Sequence, residues 1–501
     1  MALHKPYPEN SLHELHAGEQ HILPSRRIFV NRNLKMESVR MMGFDMDHTL
    51  AVYRDEPTEA LAFNATRDKL IEEKGYPDSI RVLRYDPDLI IRGLVVDKRL
   101  GNILKIDQYN YVVRVYHGTT KVPKQVRRRV YRNSRIRLSS DKYMSIDTLF
   151  GLPEATLFAQ LVDHIEEREG RRRRDYTEVY NDVRECIDRA HADGTIKRQI
   201  LAAPERFLVK DPELPQTLQE FKDHGTELFL LTNSEPDYTH RVMEFLLDAT
   251  SDAYPRWHHY FDKIVVNAGK PRFFRSTAKP RVLPPKEVTA AGMDPELSTK
   301  VYEGGGAGAF EALVGYEGDE ILYVGDHTFG DILRAKEHSR WRTAMVVQEL
   351  EREMEREQEL QQQYRNLDSL VAERRRLLSR IARVRHQLQE VRRTAHGAAS
   401  AGSGVLDPVR ELEERLQRLV EEGVRSAGTI RQRRDEVEGC FNKHWGKLFK
   451  CGEVNSRFGH QVKVFACIYT SAVRNFKAYP VSMYFRSPRE IMPHELGSER
   501  A

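Results

Sequence analysis

The chain has 501 residues, of which 40% are hydrophobic and 31% are charged, and its formal net charge is +5. A chain of this length exceeds one ordinary hydrophobic core, so we expect two or more structural units. No apolar run approaches the roughly 20 residues that a membrane helix needs, which argues against a membrane protein. The amino terminus has no apolar signal-peptide core, and four scattered cysteines fit a reduced, cytoplasmic location.

The basic runs of the chain are short and local. Arginines fill positions 127–129 and 171–174, and neither run is interleaved with the aromatic residues that a base-stacking surface requires. Solvated loops are the simpler interpretation, so no nucleic-acid partner is expected.

The first informative element is an apolar run that ends in two carboxylates. Residues 1–35 form an irregular lead-in, and Val39–Phe44 then predicts a buried strand followed by Asp45 and Asp47. In an open α/β sheet, side chains at the carboxyl end of a strand face the ligand crevice. Both acids could reach one phosphate there, although an Asp-rich turn without function is the alternative.

The next part of the chain, up to about residue 203, has a mixed pattern. Alternating apolar residues predict strands over 92–97, 100–106 and 109–116. Helical periodicity predicts helices over 150–169 and 176–192, the second closed by Asp193-Gly194.

From about residue 214 the pattern alternates between helix and buried strand. A helix over 218–224 precedes strands at 228–231, 264–266 and 321–324. This alternation predicts an α/β fold with a parallel sheet. Polar groups follow each of these strands, and they are Thr232, Asn233 and Ser234, then Lys270, and then Asp326 and Asp331.

After residue 347 the composition shifts to Glu, Gln, Arg and Leu. Helices over 348–393 and 408–437, joined by a Gly- and Ser-rich link at 397–404, predict an antiparallel helical hairpin. The hairpin either packs on its own chain or contributes to a homo-oligomer, and the sequence leaves both open. The final segment, 438–501, is expected to pack back on the core.

Together these side chains suit phosphate-ester hydrolysis by a covalent route. Asp45 would attack phosphorus, and Asp47 would give a proton to the leaving oxygen and later take one from water. A carboxylate that approaches a phosphate is repelled, so Mg²⁺ is expected, held by Asp45, Asp326 and the main-chain carbonyl of Asp47.

The remaining strand-end residues have supporting roles in this scheme. Thr232, Asn233 and Ser234 would hold phosphoryl oxygens, and Lys270 would add a fixed positive charge. Asp331 would orient metal-bound waters or Lys270 from outside the first coordination shell.

Four motifs in this order are recognisable, namely FDMDHT, LLTNS, GKPRFF and GDHTFGD. They resemble the motifs of the haloacid dehalogenase-like hydrolases, and their wording is most similar to the cytosolic purine 5′-nucleotidases and their bacterial relatives. Supporting stretches are RGLVVDKRLGNILKIDQYN, DTLFGLPEATLFAQLVDH and the late IMPHE. The resemblance implies the same roles for Asp45, Asp47, Thr232, Asn233, Lys270, Asp326 and Asp331.

The resemblance also implies a domain organisation and an activity. A Rossmann-like core would comprise 36–60 and 204–347, with a large cap inserted at 61–203, the charged hairpin at 348–437 and a C-terminal segment at 438–501. The implied activity is Mg²⁺-dependent dephosphorylation of nucleoside 5′-monophosphates, of the IMP or GMP type.

The nucleoside pocket implied by the resemblance falls largely on residues 182–191. Arg184, Asp188 and His191 lie four and three residues apart, on one helix face. Lys197 follows, and Phe150 could stack on the base. An Arg–Asp surface ion pair is the plain alternative. Purine-specific relatives tend to carry Asn where Asp147 and Gly151 flank Phe150, so base preference stays open.

Three other functions fit the same residues. A nucleoside phosphotransferase would use an identical site and pass the phosphoryl group to a nucleoside instead of water. A phosphatase for another small phosphate monoester would differ mainly in its cap. A helical scaffold with a vestigial hydrolase core is the alternative from outside the enzymes, and the hairpin motivates it.

Overall fold

A computed structural model describes residues 22–132, 136–170, 175–335, 339–397, 406–490 and 495. Most of the predicted lead-in, the run at 171–174, most of the Gly- and Ser-rich link and most of the IMPHE stretch lie outside these residues. The described chain divides into two compact units, Met1–Arg352 with Leu448–Ala501, and Glu353–Lys447. The domain boundaries given above remain predictions.

Twenty strands lie in the described residues. In chain order they are β1 Phe29–Val30, β2 Leu34–Lys35, β3 Met41–Phe44, β4 Val52–Tyr53, β5 Val95–Asp97, β6 Asn102–Ile106, β7 Val112–His117, β8 Thr120–Lys121, β9 Tyr143–Ser145, β10 Leu208–Val209, β11 Glu227–Leu231, β12 Lys263–Val266, β13 Arg281–Val282, β14 Val301–Glu303, β15 Ile321–Gly325, β16 Arg342–Val346, β17 Lys450–Cys451, β18 Val454–Asn455, β19 Ile468–Thr470 and β20 Tyr484–Phe485.

Fourteen α-helices lie in the same residues. They are α1 Asp55–Lys74, α2 Lys124–Tyr131, α3 Gly151–Glu169, α4 Thr177–Ala192, α5 Thr195–Ala202, α6 Pro204–Phe207, α7 Glu213–Asp223, α8 Pro236–Leu247, α9 Pro285–Ala290, α10 Ala307–Val314, α11 Glu349–Glu359, α12 Gln361–Gly397, α13 Leu406–Gly439 and α14 Arg457–Phe465. A π-helix at Thr328–Leu333 follows β15.

The first unit is built on a nine-stranded sheet with the order β1-β19-β16-β15-β3-β11-β12-β14-β13. The seven strands from β19 to β14 in this order run parallel to one another, while β1 and β13 pair antiparallel at the two edges. The parallel sheet predicted from the helix–strand alternation is therefore confirmed. β3 lies between β15 and β11, so its carboxyl end is at the middle of the sheet.

Successive residues of the central strands enter two separate hydrophobic clusters. Met41 of β3 belongs to one cluster with Phe229 and Tyr323, whereas Met42 belongs to the other with Leu230. Because side chains alternate along a strand, the two clusters cover opposite faces of the sheet. Burial on both faces explains why these strands read as continuous apolar runs.

The segment between β4 and α6 carries a second sheet. Its five strands have the order β8-β7-β6-β5-β9, and all of their pairings are antiparallel. Helices α1, α3 and α4 pack together in the same segment. This segment contains the strands that the sequence predicts between residues 92 and 116. The first of them, β5, begins at Val95 and not at the predicted Arg92, since Arg92 and Gly93 lie outside the hydrogen-bonded ladder.

The second unit contains two long helices that pack antiparallel. Arg392 of α12 pairs with Glu413 of α13, while Arg374 donates to the Gly423 carbonyl 3.1 Å away. A small apolar cluster joins the helices, and its buried members are Leu377, Ile381, Val384 and Leu419. The sequence predicts one helix over 348–393, but the structure has α11 and α12, which are separated at Leu360.

No helix among the described residues is long and apolar enough to cross a membrane.

Candidate active site

Four neighbouring parallel strands end at the same edge of the central sheet. In spatial order, Asp326 follows β15, Asp45 follows β3, Thr232 follows β11 and Lys270 comes four residues after β12. Parallel strands place their carboxyl ends together, so residues separated by up to 281 positions meet in one site.

Lys270 links two of the carboxylates. Its Nζ lies 2.7 Å from Asp45 Oδ1 and 2.9 Å from Asp331 Oδ1, and it donates to the Tyr323 hydroxyl at 3.0 Å. Burial disfavours the ammonium, but the Asp331 and Asp45 carboxylates outweigh it and raise the pKa of Lys270. Lys270 is therefore a permanent cation at this site.

The Asp45 carboxylate is held at one oxygen. Oδ1 accepts from the Met46 amide at 2.7 Å as well as from Lys270. Because both of these donors contact Oδ1, Oδ2 is the oxygen available to approach a substrate. Burial raises the pKa of Asp45 well above its ordinary value, although Lys270 opposes this shift.

The Asp47 carboxylate is oriented by two hydroxyl groups. Tyr53 donates to Oδ1 at 2.6 Å, and Ser234 donates to Oδ2 at 2.9 Å. Burial raises the pKa of Asp47, and the two hydrogen bonds oppose that rise. The Tyr53 hydroxyl also lies 2.9 Å from that of Tyr238, so it can bond to either group.

Asp45, Asp326 and Asp331 form a cluster whose ligand oxygens lie within 4.8 Å of one another. Burial raises the pKa of Asp326 to about 7, and its Oδ2 is buried without a hydrogen bond among the described residues. A buried carboxylate oxygen that accepts no hydrogen bond, in an all-oxygen cluster, fits a hard divalent cation. The residues present therefore suit Mg²⁺.

Asp326 is also held by an arginine that the sequence analysis did not single out. Arg92 is fully buried, donates from Nη1 to the Asp326 carbonyl at 3.0 Å, and lies 3.6 Å from Asp326 Oδ2. Its Nε donates to Glu349 at 2.8 Å. Arg92 begins the RGLVVD stretch. A charged residue placed directly before an apolar run was the signal that the sequence offered for it.

The three polar residues after β11, Thr232, Asn233 and Ser234, make hydrogen bonds to other residues of the site. Asn233 accepts from the Lys270 amide at 2.7 Å and donates to the Lys270 carbonyl at 3.1 Å. The Thr232 hydroxyl accepts from the Ser234 amide at 3.0 Å. Phosphate binding by Thr232, Asn233 and Ser234 stays a prediction. In the structure the Asn233 amide bonds to Lys270 and the Ser234 hydroxyl bonds to Asp47.

The predicted nucleoside pocket lies on the elements next to Asp47. The ring centroids of Phe150 and His191 are 5.8 Å apart, and Phe150 is 37% exposed. Burial lowers the pKa of His191 to about 4, so its imidazole is neutral. Lys197 pairs with Glu235, and its Nζ lies 5.2 Å from the centre of the Tyr238 ring.

Arg184 and Asp188 form the ion pair that their spacing allows. Two hydrogen bonds of 3.0 and 2.7 Å join them, and Arg184 also donates to buried Glu154 at 2.9 Å. Both side chains of the pair are about half exposed. The sequence analysis did not predict a role for Glu154. A single Glu on a helix face that is otherwise apolar carries no sequence pattern that would have identified it.

A model of the 5′-nucleotidase family matches residues 28–497. The chain belongs to the 5′-nucleotidase family. This confirms the resemblance found in the motifs and makes the protein a phosphohydrolase. A curated relative of the family is a 5′-nucleotidase domain-containing protein of Dictyostelium discoideum, 28% identical over 489 residues, which are 94% of this chain and 75% of that protein.

Solved structures resemble this 5′-nucleotidase-family chain only distantly. A predicted phosphoglycolate phosphatase from Haemophilus somnus is 13% identical with a TM-score of 0.27, and a 2-haloacid dehalogenase from Pseudomonas syringae is 16% identical with a TM-score of 0.20. Each alignment covers 62% of this chain and 86% of the other. TM-scores at this level support no conclusion about function.

Proposed function

We propose that this protein is a Mg²⁺-dependent 5′-nucleotidase that hydrolyses purine nucleoside 5′-monophosphates of the IMP or GMP type. The observation that carries the proposal is the arrangement of Asp45 between Lys270 and the Asp326–Asp331 cluster, with Asp47 beside it. Family membership supports the reaction class, and the resemblance of the motifs to the purine branch supports the base.

The side chains of Asp45 and Asp326 and the carbonyl of Asp47 would hold the metal, with Asp331 beside them. When bound, the cation neutralises phosphoryl charge. Oδ2 of Asp45 attacks phosphorus, the bond from phosphorus to the ribose 5′-oxygen breaks, and Asp47 gives its proton to that oxygen.

The second half of the reaction reverses the role of Asp47. It takes a proton from water as the water attacks phosphorus, the bond to Asp45 breaks, and inorganic phosphate leaves. Tyr53 can direct its hydroxyl toward Tyr238 instead of Asp47, which allows Asp47 Oδ1 to carry the proton. Lys270 balances charge on the phosphoryl oxygens throughout.

The test compares wild type with Asp45→Asn, using GMP or IMP labelled in the phosphoryl group. Acid quenching of the wild type should trap label on the protein, and the variant should retain no label and release phosphate at least 10³-fold more slowly, an order-of-magnitude expectation for loss of a nucleophile. Phosphate release by the variant at the wild-type rate would refute the assignment.

Two further arms of the same experiment define the reaction. With labelled GMP as the substrate, added inosine should leave the label in inorganic phosphate, whereas the appearance of labelled inosine monophosphate would identify a phosphotransferase. Pyrimidine monophosphates should be cleaved more slowly than purine ones, and equal rates would contradict the proposed base preference.

A further inference from the structure

The residue after Asp47 has an unusual backbone. His48 has φ of 56°, in the left-handed region that residues other than Gly uncommonly adopt, although Asn, Asp and His do so more often than the rest. Its amide donates to the Ala51 carbonyl at 2.9 Å, and its carbonyl accepts from Gln348 Nε2 at 2.9 Å. Such strain persists where the surrounding structure fixes it, and it concentrates at functional sites.

The side chain of His48 is buried but makes no hydrogen bond to any described residue. It is 6% exposed, and Nδ1 is among the fully buried atoms without a partner, whereas Nε2 is not among them. A neutral imidazole carries its proton on one nitrogen. Because a buried donor without an acceptor is destabilising, the favoured tautomer has the proton on Nε2, which reaches the surface.

The imidazole lies between the phosphate end of the site and the predicted base-stacking residue. Its ring centroid is 4.5 Å from that of Phe150, in an edge-to-face arrangement, and 5.0 Å from that of Tyr53. Tyr53 in turn bonds to Asp47. In a nucleoside monophosphate the ribose joins phosphate and base, so a group between Asp47 and Phe150 is placed at the sugar.

We propose that His48 donates a hydrogen bond from Nε2 to a hydroxyl of the substrate ribose and so selects ribonucleotides. This inference rests on the proposed function and deepens it, because it assigns to one residue the recognition of the sugar. The strained backbone then has a reason, since the turn directs the ring from the catalytic loop toward Phe150.

The test measures substrate preference and not activity alone. His48→Phe keeps an aromatic ring against Phe150 and removes the donor. The substrates are a purine ribonucleoside monophosphate, its 2′-deoxy and 3′-deoxy analogues, and p-nitrophenyl phosphate, which has no sugar. We expect the ratio of kcat/KM for the ribonucleotide to that for p-nitrophenyl phosphate to fall about tenfold, the size of one hydrogen bond.

The deoxy analogues identify the hydroxyl. Wild type should cleave the analogue that lacks the contacted hydroxyl about tenfold more slowly than the ribonucleotide, and His48→Phe should treat the two alike. A second variant, His48→Asn, suits the left-handed backbone and keeps an amide donor, so its preference should lie between the other two.

Three results would overturn the inference. His48→Phe could keep the wild-type preference, or all substrates could lose rate by the same factor, which would indicate that His48 serves only the turn. A wild type that cleaves p-nitrophenyl phosphate but no nucleoside monophosphate would overturn the proposed function as well. Thermal unfolding of both variants, compared with wild type, separates loss of fold from loss of recognition.

Discussion

At the centre of the site, negatively charged side chains outnumber positively charged ones. Three buried carboxylates, those of residues 45, 326 and 331, pair with the cations Lys270 and Arg92, and Arg92 is shared with Glu349. Excess negative charge in a buried site raises carboxylate pKa values and favours a bound cation. Burial is the main cause of the raised pKa values of Asp45, Asp47 and Asp326, and the neighbouring carboxylates add to the rise at Asp45 and Asp326.

Tyr53 is expected to matter most when the leaving group needs a proton. Tyr53→Phe removes the hydroxyl that holds Asp47 at 2.6 Å, so Asp47 delivers its proton less well. Turnover of a nucleoside monophosphate should fall about tenfold. p-Nitrophenolate leaves without protonation, so release of p-nitrophenol in a single turnover should fall less.

Tyr238→Phe is the matched control for this prediction. The Tyr238 hydroxyl contacts that of Tyr53, whereas among the described residues the side-chain donors to the Asp47 carboxylate are Tyr53 and Ser234. Its loss should slow the nucleotide reaction less than the loss of Tyr53 does. Equal slowing of both substrates in Tyr53→Phe would instead indicate a general packing defect.

Away from the site, Glu59 should make stability depend on pH. Burial raises its pKa to about 7, although Tyr85 donates a hydrogen bond to it at 2.7 Å. The folded state thus binds the Glu59 proton more tightly than the unfolded state does. This contribution to stability is fully present below pH 4.5 and is lost as the pH rises to about 7.

The side chain in Glu59→Gln does not ionise, so this variant should be more stable than wild type at pH 8 by about 1–3 kcal/mol. At pH 4 the two proteins should differ little. Urea unfolding at both pH values measures this difference. An unchanged difference between pH 4 and pH 8 would show that Glu59 ionises normally.

Among the elements, β3 has little space for a larger side chain. A Cβ at Gly43 would lie 2.0 Å from the Phe229 ring, and that ring is enclosed by Phe310, Trp341 and Tyr323, with centroids 4.7 to 6.3 Å away. Because these rings pack on one another, Phe229 has no free direction in which to move. β3 also positions Asp45, so its packing and the catalytic geometry are coupled.

Gly43→Ala should therefore destabilise the protein by about 1–3 kcal/mol or more, the usual range for overpacking. Gly308→Ala, in α10, is the matched control because its new Cβ would meet nothing within 4 Å and Ala favours helices. Denaturant unfolding should show a lower midpoint for the first variant alone. A normal midpoint for Gly43→Ala would mean that β3 and β11 can separate at little cost.

At the scale of the whole molecule, the two units differ in how much core supports them. The central sheet has apolar clusters on both faces, while the hairpin of α12 and α13 is held by the few residues around Leu377, Ile381 and Leu419. Local opening is easier where fewer apolar contacts are lost. The units should therefore open separately.

Hydrogen exchange should show this difference directly. Amides of β3, β11 and β15 should exchange at least tenfold more slowly than those of α12 and α13, because each tenfold reflects about 1.4 kcal/mol of opening free energy. Mass spectrometry of peptides from both regions measures the rates. Equal protection would indicate that the hairpin is stabilised by contacts beyond its own small core.

Much of the site can be predicted from the sequence because its chemistry is concentrated at strand ends. Asp45, Lys270 and Asp326 each follow an apolar run, and parallel strands bring such positions to one edge. The helices at 150–169 and 176–192 were also predictable, since periodicity and a following Gly mark them. These are local signals, and the structure contains α3 and α4 at those places.

By itself, then, the sequence determined the family, the parallel sheet and the set of carboxylates at its edge. Only the tertiary structure decided which partner each side chain has, such as Arg92 with Glu349, 257 residues away, or Tyr53 with Asp47 and Tyr238. Local patterns fix what a strand delivers, because they depend on neighbouring residues. Hydrogen-bond partners depend on strand order and packing between distant segments, and no local pattern encodes these.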